Sequence, residues 1–422
     1  MAAKMVLTTF GSFGDLHPYV ALAIELRRRG HEAVIATSVN YREKVEALGI
    51  AFRGLRPDLA DVIARPETMR RVMDRRKGSE VVVRELMMPY LRETYDDLAA
   101  VCRGADLVVG HPLTFTARLV SEKTGIPWVS AVLAPLSFFS ATDPPVVPGA
   151  EFLERLRGLG PWFHGGLFRL ARRNVAGWCD PWHRLRAELG LPPTADNPLF
   201  EGQHAPRLVL ALFSGELAAP QSDWPPQTAV TGFPFFDEDG ASDLSTELAR
   251  FLDAGPPPIV FTLGSSAVKD AGRFYEHGAA AARALGRRAV LLVGKDNANA
   301  PRDLPQGVGV FDYAPYSKLF PRAAAIVHQG GVGTTGQAMR SGRPMIVMPY
   351  AHDQPDNAAR VARRGIARTI PRFRLGTSRL TEELRRLLAD PSYASRAAEV
   401  GRVVQREDGA AAAADAILGL SS

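Results

Sequence analysis

A glycine-rich segment near residue 330 has the composition of an anion-binding loop. Its sequence is His328-Gln-Gly-Gly-Val-Gly-Thr-Thr-Gly336. Small residues between a strand and a helix let backbone N–H groups approach a phosphate, and the N-terminus of the helix adds a favourable field. The hydroxyls of Thr334 and Thr335 and the ring of His328 offer further hydrogen-bond donors. The segment therefore suits a diphosphate, with close packing of a helix on a sheet as the structural alternative.

The same glycines also fit a dinucleotide-binding pattern. Gly331-Val-Gly-Thr-Thr-Gly336 satisfies G-x-G-x-x-G. That pattern should follow the first strand of its βαβ unit and precede an acidic ribose contact by about 20 residues. Here it follows a late strand, and the candidate acid, Asp353, lies in a different context. An NAD(P)-dependent oxidoreductase is therefore a disfavoured alternative.

A second polar pair follows a buried strand further along. Asp353 and Gln354 stand within Pro349-Tyr-Ala-His-Asp-Gln-Pro-Asp-Asn357. A carboxylate accepts hydrogen bonds, and an amide both donates and accepts them, which suits the vicinal hydroxyls of a sugar. Asp353 is also a good N-cap residue, so helix capping is the alternative.

The elements that must hold these residues alternate between strand and helix. Near the N-terminus, a strand is predicted at Met5–Phe10, and a glycine turn follows it. A helix then runs from Pro18 to Arg29, Gly30 ends it, and the next strand is His31–Ala36. This is the βαβ unit of a parallel sheet. Further strands are predicted at residues 107–109, 128–133, 208–213 and 230–233.

A second alternation begins at residue 258. It predicts strands at 258–263, 289–293, 308–311, 324–327 and 345–348 and a helix at 273–285. The proline-rich residues 218–243 separate the halves. The predicted organisation is an α/β domain over 1–217, a linker over 218–243, a second α/β domain over 244–405 and a C-terminal helix within 406–422.

Composition excludes several classes of protein. The chain has 422 residues, a net charge of +6 and only two cysteines, Cys102 and Cys179. A disulfide scaffold and a cysteine-rich metal site are excluded, and a cytoplasmic setting is expected. The arginines are not gathered with aromatic residues, so no nucleic-acid partner is expected. The longest mostly apolar run, 126–139, falls short of the roughly 20 residues of a membrane-spanning helix.

These motifs resemble a known family when they are taken together. The donor-binding signature of the UDP-glycosyltransferase superfamily (family 1) resembles Tyr313-Ala-Pro-Tyr316, His328–Thr335 and Ala351-His-Asp-Gln354. Within this superfamily, the chain is similar to the bacterial branch that includes sterol, antibiotic and rhamnolipid glycosyltransferases. The segments Gly11–Pro18 and Arg29-Gly-His31 resemble that branch too. The resemblance implies the GT-B fold, in which two Rossmann-like domains with parallel sheets face each other across a cleft. It places the acceptor domain first and the nucleotide-sugar domain second, and the last helix could cross back to the first domain.

The resemblance also implies a set of donor-binding residues. Tyr313 would stack on the nucleobase, with backbone hydrogen bonds at Ala314, and Asp353 and Gln354 would hold sugar hydroxyls. The phosphates would be contacted by Gly14, Gly264, Ser265, Ser266, His328, Gly330, Gly331, Val332, Gly333, Thr334 and Thr335. Plant members have tryptophan at 331 and an acidic residue at 336, where this chain has glycine. That difference supports the bacterial branch and leaves the base and the sugar open.

The position of the catalytic base is where this chain departs from the pattern of many family members. Many members use the histidine of Gly-His-x-x-Pro, and that frame reads Gly14-Asp15-Leu16-His17-Pro18 here. Asp15 therefore takes the position of the base, and burial is expected to raise its pKa. His17 as the base and helix capping by Asp15 are the alternatives. The aspartate that orients the histidine in other members corresponds to His111, so an Asp15–His111 pair is expected.

The resulting functional hypothesis is an inverting glycosyltransferase that needs no metal or cofactor. It would move a hexose from a nucleotide sugar, UDP-glucose first and a dTDP sugar second, to a hydroxyl of an apolar or aromatic small molecule. Residues 54–100 and 135–205 would form the acceptor pocket. A sugar-nucleotide 2-epimerase of the same fold and a non-enzymatic sugar-nucleotide binder are alternatives. The oligomeric state is left open.

Overall fold

The computed structural model describes residues 2–58, 65–237, 243–295 and 299–421. The chain forms two compact units. The first contains Met1–Phe235 together with Asp408–Ser422, and the second contains Phe236–Glu407. Each unit is built around one parallel sheet, so the predicted α/β class with two Rossmann-like domains is confirmed.

The sheet of the first unit has seven parallel strands. Their order is β3-β2-β1-β4-β5-β6-β7. The central strands are apolar throughout because helices cover both faces, and Val6, Leu7, Val108 and Val109 are fully buried. The strands are β1 (Lys4–Thr8), β2 (Glu32–Thr37), β3 (Ala51–Gly54), β4 (Leu107–Gly110), β5 (Trp128–Val132), β6 (Val209–Ala211) and β7 (Thr228–Val230).

The register places the ends of β1 and β4 side by side. Thr8 pairs with Gly110, and β1 pairs with β2 on its other edge. Because the chain winds outward in both directions from β1, the carboxyl ends of β1 and β4 form the topological switch point. Ligands of open parallel sheets bind at such points.

The helices of the first unit cover both faces of this sheet. The segment between residues 81 and 87 is π-helical, and short 3₁₀ turns include Glu151–Leu159. The α-helices before the second unit are α1 (Phe13–Arg28), α2 (Arg42–Ala47), α3 (Pro66–Val72), α4 (Gly78–Glu80), α5 (Leu91–Val101), α6 (Thr116–Thr124), α7 (Gly160–Val175) and α8 (Asp180–Glu188).

The sheet of the second unit repeats the same winding with six parallel strands. Their order is β10-β9-β8-β11-β12-β13, so the switch point lies between β8 and β11. The strands are β8 (Ile259–Thr262), β9 (Ala289–Leu292), β10 (Val308–Phe311), β11 (Ala325–His328), β12 (Met345–Val347) and β13 (Ala367–Thr369). The helices are α9 (Thr246–Asp253), α10 (Gly264–Ala267), α11 (Phe274–Ala284), α12 (Tyr316–Leu319), α13 (Val332–Arg340), α14 (Gln354–Arg363), α15 (Thr377–Ala389) and α16 (Pro391–Val404).

The final helix, α17 (Gly409–Leu418), belongs to the first unit. It packs on α1, and Arg29 at the end of α1 pairs with Asp415 and donates to the Ala411 carbonyl at 3.1 Å. The start of α17 lies against the backbone of Phe233, because a Cβ on Gly409 would be 2.4 Å from the Phe233 carbonyl carbon. The first unit is therefore completed by residues far from it in sequence.

No helix in the described part of the chain is both long enough and apolar enough to cross a membrane.

Candidate active site

The first predicted site residue, Asp15, lies in the first turn of α1. Ser12 is the N-cap of this helix, and its Oγ accepts a hydrogen bond from the Gly14 N–H at 3.2 Å. In return, Oδ2 of Asp15 accepts from the Ser12 N–H at 2.7 Å and from Ser12 Oγ at 3.1 Å. This reciprocal arrangement is a capping box. Asp15 therefore does cap the helix, and one carboxylate oxygen is committed to that role.

The other oxygen of Asp15 faces His111, which follows β4. Nε2 of His111 lies 3.4 Å from Oδ1 of Asp15, and Nδ1 of His111 accepts from the Leu113 N–H at 3.1 Å. An imidazole nitrogen that accepts carries no hydrogen, so Nε2 must carry it and point at Asp15. The topology therefore brings the predicted pair together at the switch point between β1 and β4.

A glycine makes room for this carboxylate. Gly11 has φ +136°, and a Cβ built on it would lie 2.2 Å from Oδ2 of Asp15. Tyr41 fixes the turn from the other side by donating its hydroxyl hydrogen to the Gly11 carbonyl at 2.7 Å. Any side chain at position 11 would displace Asp15, because its Cβ would overlap the carboxylate. The backbone conformation of Gly11 also favours glycine.

The electrostatic environment of Asp15 differs from the expectation of a raised pKa. Burial alone would raise the pKa, but hydrogen bonding and charge from His111, together with the donors of Ser12, outweigh it and lower the pKa below the usual 3.8. The predicted direction was wrong because the sequence does not show how many donors surround the carboxylate. Asp15 is therefore an ionised group that a hydroxyl can reach, since 30% of its side chain is exposed.

His17 lies elsewhere on the helix. Two residues correspond to roughly 200° of rotation about a helix axis, so His17 and Asp15 face different directions. The ring of His17 stacks on Phe13, with 5.3 Å between the ring centroids. The structure thus pairs Asp15 with His111 and leaves His17 out of that pair.

In the second unit, the predicted phosphate loop joins β11 to α13. Gly331 is the N-cap of α13 and makes no side-chain capping bond. Gly331, Val332 and Gly333 are half-buried, so their backbone can be approached from solvent. The first N–H groups of a helix lack partners within it and carry a partial positive charge. The backbone at residues 331–333 is thus the part of this loop best placed to bind an anion.

His328 does not face solvent, unlike the ring expected to donate to a diphosphate. It is fully buried at the end of β11, and burial lowers its pKa to about 3. Nδ1 accepts from the Gly330 N–H at 3.1 Å, and Nε2 lies 3.3 Å from Sδ of Met345. In this arrangement the neutral ring holds the loop from inside.

The two threonines of the loop are also buried. Thr335 is fully buried, and Thr334 is 8% exposed. Gln329 Nε2 donates to Oγ1 of Thr334 at 3.4 Å, and Tyr316 is hydrogen bonded to the same residue. The Tyr316 hydroxyl also lies 2.8 Å from Oγ1 of Thr262, at the end of β8. The Thr334 hydroxyl therefore links α13 to Gln329 and to Tyr316 on α12. The Thr335 hydroxyl is buried and has no hydrogen-bond partner among the described residues. The prediction that both hydroxyls face a ligand is not met.

The loop after β8 lies against the same glutamine. Gly264 has φ +64°, and a Cβ on it would lie 2.5 Å from Nε2 of Gln329. Gln329 is 6% exposed, so a polar side chain fills the space between the Gly264 loop and the Gly331 loop. Beyond it, Ser265 is exposed and Ser266 half-buried. Gln329 was not predicted as a site residue, although its place inside the glycine motif indicates one.

The residues predicted to contact the base lie after β10. Tyr313 is 57% exposed, which is unusual for a large aromatic side chain, and the adjacent Ala314 is 1% exposed. An exposed ring on a loop can stack on a flat ligand. Its role in base stacking stays a prediction.

Asp353 and Gln354 stand at the start of α14, and the side chain of each forms hydrogen bonds with nearby residues of the chain. Asp353 occupies the N-cap position without a side-chain capping bond, and its Oδ2 accepts from Asn357 Nδ2 at 2.7 Å. Gln354 is buried, and its Oε1 accepts from the N–H groups of Tyr350 and Ala351 at 2.8 and 3.3 Å. The alternative is right that a helix begins here with Asp353 at its N-cap, but the Asp353 side chain makes no capping bond. Gln354 is left with its amide nitrogen for any ligand.

A further residue, Arg372, connects two of these segments and was not predicted. Its Nη2 lies 2.8 Å from Oδ2 of Asp270 and donates to the Asp270 carbonyl at 3.0 Å. Its guanidinium lies 4.0 Å from the ring centroid of Tyr350. Asp270 follows Ser266 by four residues, and Tyr350 precedes Asp353 by three. Arg372 therefore joins the loop after β8 to the loop after β12.

Replacing Arg372 should therefore weaken donor binding more than it slows turnover. We expect Arg372→Met to raise the donor KM about three- to tenfold with little change in kcat, because a charge-assisted bond and a ring contact are lost. Lysine should not restore it, since an ammonium lacks the planar fork. Steady-state kinetics with Arg374→Lys, an exposed neighbour, as control would test this, and an unchanged KM would contradict it.

Asp237-Glu-Asp239 in the linker has the D-x-D spacing of a metal-binding motif, and its first aspartate pairs with other side chains. Oδ2 of Asp237 lies 2.6 Å from Nη1 of Arg340, and Oδ1 accepts from Gln337 Nε2 at 3.0 Å. Asp239, the other half of the D-x-D sequence, lies outside the described residues. Within the described ranges, histidine, cysteine and acidic side chains form no group of three that could hold a metal ion.

Comparisons with known proteins identify both halves of the chain. Residues 5–138 match the N-terminal domain of glycosyltransferase family 28. Residues 279–412 match the C-terminal domain of the erythromycin biosynthesis protein CIII-like family. The two matches cover the site segments around Asp15 and His111 and around the Gly331 loop.

Relatives match over nearly the whole length. The O-mycaminosyltylonolide 6-deoxyallosyltransferase of Streptomyces fradiae is 35% identical over 417 residues, which are 96% of this chain and 94% of the relative. The vancomycin aglycone glucosyltransferase of Amycolatopsis orientalis is 30% identical over 98% of this chain and 96% of the relative. A sterol 3-beta-glucosyltransferase of Arabidopsis thaliana is 25% identical over 98% of this chain and 67% of the relative.

Solved structures share the fold. The glycosyltransferase of kitacinnamycin superposes with a TM-score of 0.71 at 23% identity, over 99% of both chains. The spinosyn rhamnosyltransferase in complex with thymidine diphosphate gives a TM-score of 0.66 at 17% identity, over all of both chains. These structures show the GT-B fold, and the relatives at 30% identity or more show that the chain is a glycosyltransferase.

Within that class, the chain belongs to the family 1-like glycosyltransferases, in the group of antibiotic and sterol enzymes. The relatives named above are all glycosyltransferases, so the epimerase and oxidoreductase alternatives receive no support.

Proposed function

We propose that this glycosyltransferase is an inverting enzyme that transfers a hexose from a nucleoside diphosphate sugar to a hydroxyl of an apolar or aromatic small molecule. The observation that carries the proposal is the Asp15–His111 pair at the switch point of the first sheet. A partly exposed, ionised carboxylate at such a point can accept a proton from a bound hydroxyl.

The geometry favours Asp15 over His111 as the base. Both ring nitrogens of a neutral His111 are engaged, one by the Leu113 N–H and the other with Asp15, and the ring is 6% exposed. His111 can therefore orient the carboxylate through its Nε2–H without receiving the acceptor proton itself. The acceptor oxygen would attack the anomeric carbon, the bond to the diphosphate would break, and the proton would pass to Oδ1 of Asp15.

The departing diphosphate needs compensation for its negative charge. The free N–H groups at the start of α13 supply it, since preorganised dipoles stabilise charge where it develops. This role rests on the half-buried backbone at 331–333 and on the nine-residue length of α13. No step of the proposal requires a metal ion.

Two nucleotides deserve testing as donors. UDP-glucose is the first candidate, because the donor segments resemble those of UDP-dependent enzymes and two of the relatives named above are glucosyltransferases. A dTDP sugar is the second, because a structural neighbour has thymidine diphosphate bound. The exposed apolar side chains of residues 150–175, such as Phe152, Trp162 and Leu170, support an apolar acceptor in the first unit.

The direct experiment measures nucleoside diphosphate release by the purified protein. UDP-glucose and dTDP-glucose would be supplied with a panel of phenols, sterols, macrolides and lipids, with and without EDTA. We expect release that depends on an acceptor, is unaffected by EDTA, and yields a product of inverted anomeric configuration. Conversion of the donor without diphosphate release, or NAD(P) reduction instead of transfer, would contradict the proposal.

A further inference from the structure

Asn357 is a fully buried polar residue one turn into α14. Its Nδ2 donates to Oδ2 of Asp353 at 2.7 Å and to the carbonyl of Gly330 at 2.9 Å. The first partner is a carboxylate expected to hold sugar hydroxyls, and the second belongs to the loop before α13. One amide group therefore bridges two segments that approach the donor from different strands.

The orientation of this amide is determined by its neighbours. Both partners are acceptors, so only the NH₂ group can face them, and a flipped amide would oppose oxygen to oxygen. Gly330 is also held from its other side, because its N–H donates to Nδ1 of His328 at 3.1 Å. The loop is thereby fixed at both its N–H and its carbonyl.

The oxygen of the amide distinguishes Asn357 from a buried polar residue whose hydrogen bonds are all made. Oδ1 of Asn357 is buried and accepts no hydrogen bond among the described residues. A buried acceptor left without a partner is unfavourable. The two hydrogen bonds that Asn357 donates are therefore the interactions that favour asparagine at this position.

From this bridge we infer that Asn357 is a positioning residue for the donor sugar. It sets the carboxylate of Asp353 at a defined distance from the Gly330 loop, so that the sugar and the diphosphate are held in register. The inference rests on the proposed function, since it assigns a role within the same donor site.

Asn357→Asp is the sharpest test, because it replaces only the amide NH₂ that donates the two hydrogen bonds and keeps the shape of the side chain. The introduced carboxyl would lie beside Asp353; its ionised form has no hydrogen to donate and repels that carboxylate, so uptake of one shared proton is favoured as the pH falls. At pH 8 we expect affinity for the nucleotide sugar to fall about tenfold, because the bond to Asp353 is lost. At pH 5.5 a shared proton restores that bond, and affinity should recover relative to the wild type.

The measurement is calorimetric titration of UDP-glucose, UDP, dTDP-glucose and dTDP at both pH values. Asn357→Ala is the matched control, and its affinity relative to the wild type should be low at both. Affinity for UDP or dTDP alone should change less than affinity for the sugar nucleotide. If Asn357→Asp does not fold, Asn357→Ala must still show the selective loss of sugar-nucleotide affinity.

Two results would overturn the inference: sugar-nucleotide affinity at pH 8 within twofold of the wild type in either variant, or equal loss at that pH for the nucleotide with and without its sugar. Failure of the proposed function is a separate result. Wild-type protein that binds these nucleotides but never releases diphosphate would sink the transferase proposal and leave the binding test of Asn357 intact.

Discussion

Asp15→Asn should lower kcat by about 10²–10⁴ while leaving donor binding nearly unchanged, because a positioned general base contributes that much to rate. Asparagine keeps the shape of aspartate, and its carbonyl oxygen can still accept from Ser12. The variant therefore removes the charge and the proton acceptor without removing the helix cap. Nucleoside diphosphate release and calorimetric donor titration would measure the two effects separately.

Ser12→Ala is the matched control for the capping role. It removes the N-cap hydroxyl but leaves the carboxylate of Asp15 in place. Loss of an N-cap costs about 0.5–2 kcal/mol of stability, so this variant should melt earlier and turn over at nearly the wild-type rate. If Ser12→Ala loses as much activity as Asp15→Asn, Asp15 serves the helix and not the reaction. Loss of turnover in His17→Ala would instead identify His17 as the base.

The pH profile follows from the direction of the Asp15 shift. The folded-state pKa lies below 3.8, so the ionised form persists as pH falls through the usual aspartate range. Any stability from the pairing is present above the unfolded pKa and is lost only as pH falls through the lower folded value. We therefore expect wild-type turnover to show no acid limb from Asp15 above about pH 5.

Trp182→Ala should destabilise the first unit by about 3–5 kcal/mol, the cost of removing a large aromatic side chain from a packed core. Trp182 is fully buried in α8 and donates from Nε1 to the Phe115 carbonyl at 2.8 Å. The guanidinium groups of Arg118 and Arg186 lie 5.7 and 5.6 Å from its ring. Because Phe115 follows His111 by four residues, the loss would also loosen the segment that carries the partner of Asp15.

Trp162→Ala provides the comparison, since Trp162 lies in the same unit but is 85% exposed. It should change stability by about 0.5 kcal/mol or less. Urea unfolding followed by far-ultraviolet circular dichroism would compare the two variants without relying on tryptophan fluorescence. Equal midpoints for the wild type and Trp182→Ala would show that the packing around residue 182 contributes little.

Much of the fold could be predicted because the central strands are short apolar runs at regular spacing. The central strands were predicted to within two residues at each end. Of the edge strands, β10 (Val308–Phe311) was predicted with the bounds that the structure has, and β7 was predicted two to three residues late. The edge strands β3 and β13 were missed. Each pairs on one side only and contains an arginine, Arg53 or Arg368, so the continuous apolar signal of a buried parallel strand is absent.

The candidate site could be predicted as a set of segments but not as a set of atoms. The Asp15–His111 pair was expected from the family resemblance, and the structure brings the two side chains within 3.4 Å of each other. The burial of His328, Thr334 and Thr335 was not expected, because a motif does not show which side of a loop faces the interior. Asn357 was missed for a related reason: its importance comes from two bonds to residues 4 and 27 positions away.

The return of α17 to the first unit has a consequence for biosynthesis. Residues 408–422 leave the ribosome only after the whole second unit has been made, yet Arg29 on α1 needs them for its contacts with Ala411 and Asp415. Domains generally fold in the order of their synthesis. Here the second unit is complete in sequence before that last helix is made, while the helix that carries Asp15 waits for its last packing partner. Released chains truncated before residue 408 should therefore hold a protease-sensitive first unit beside a resistant second one.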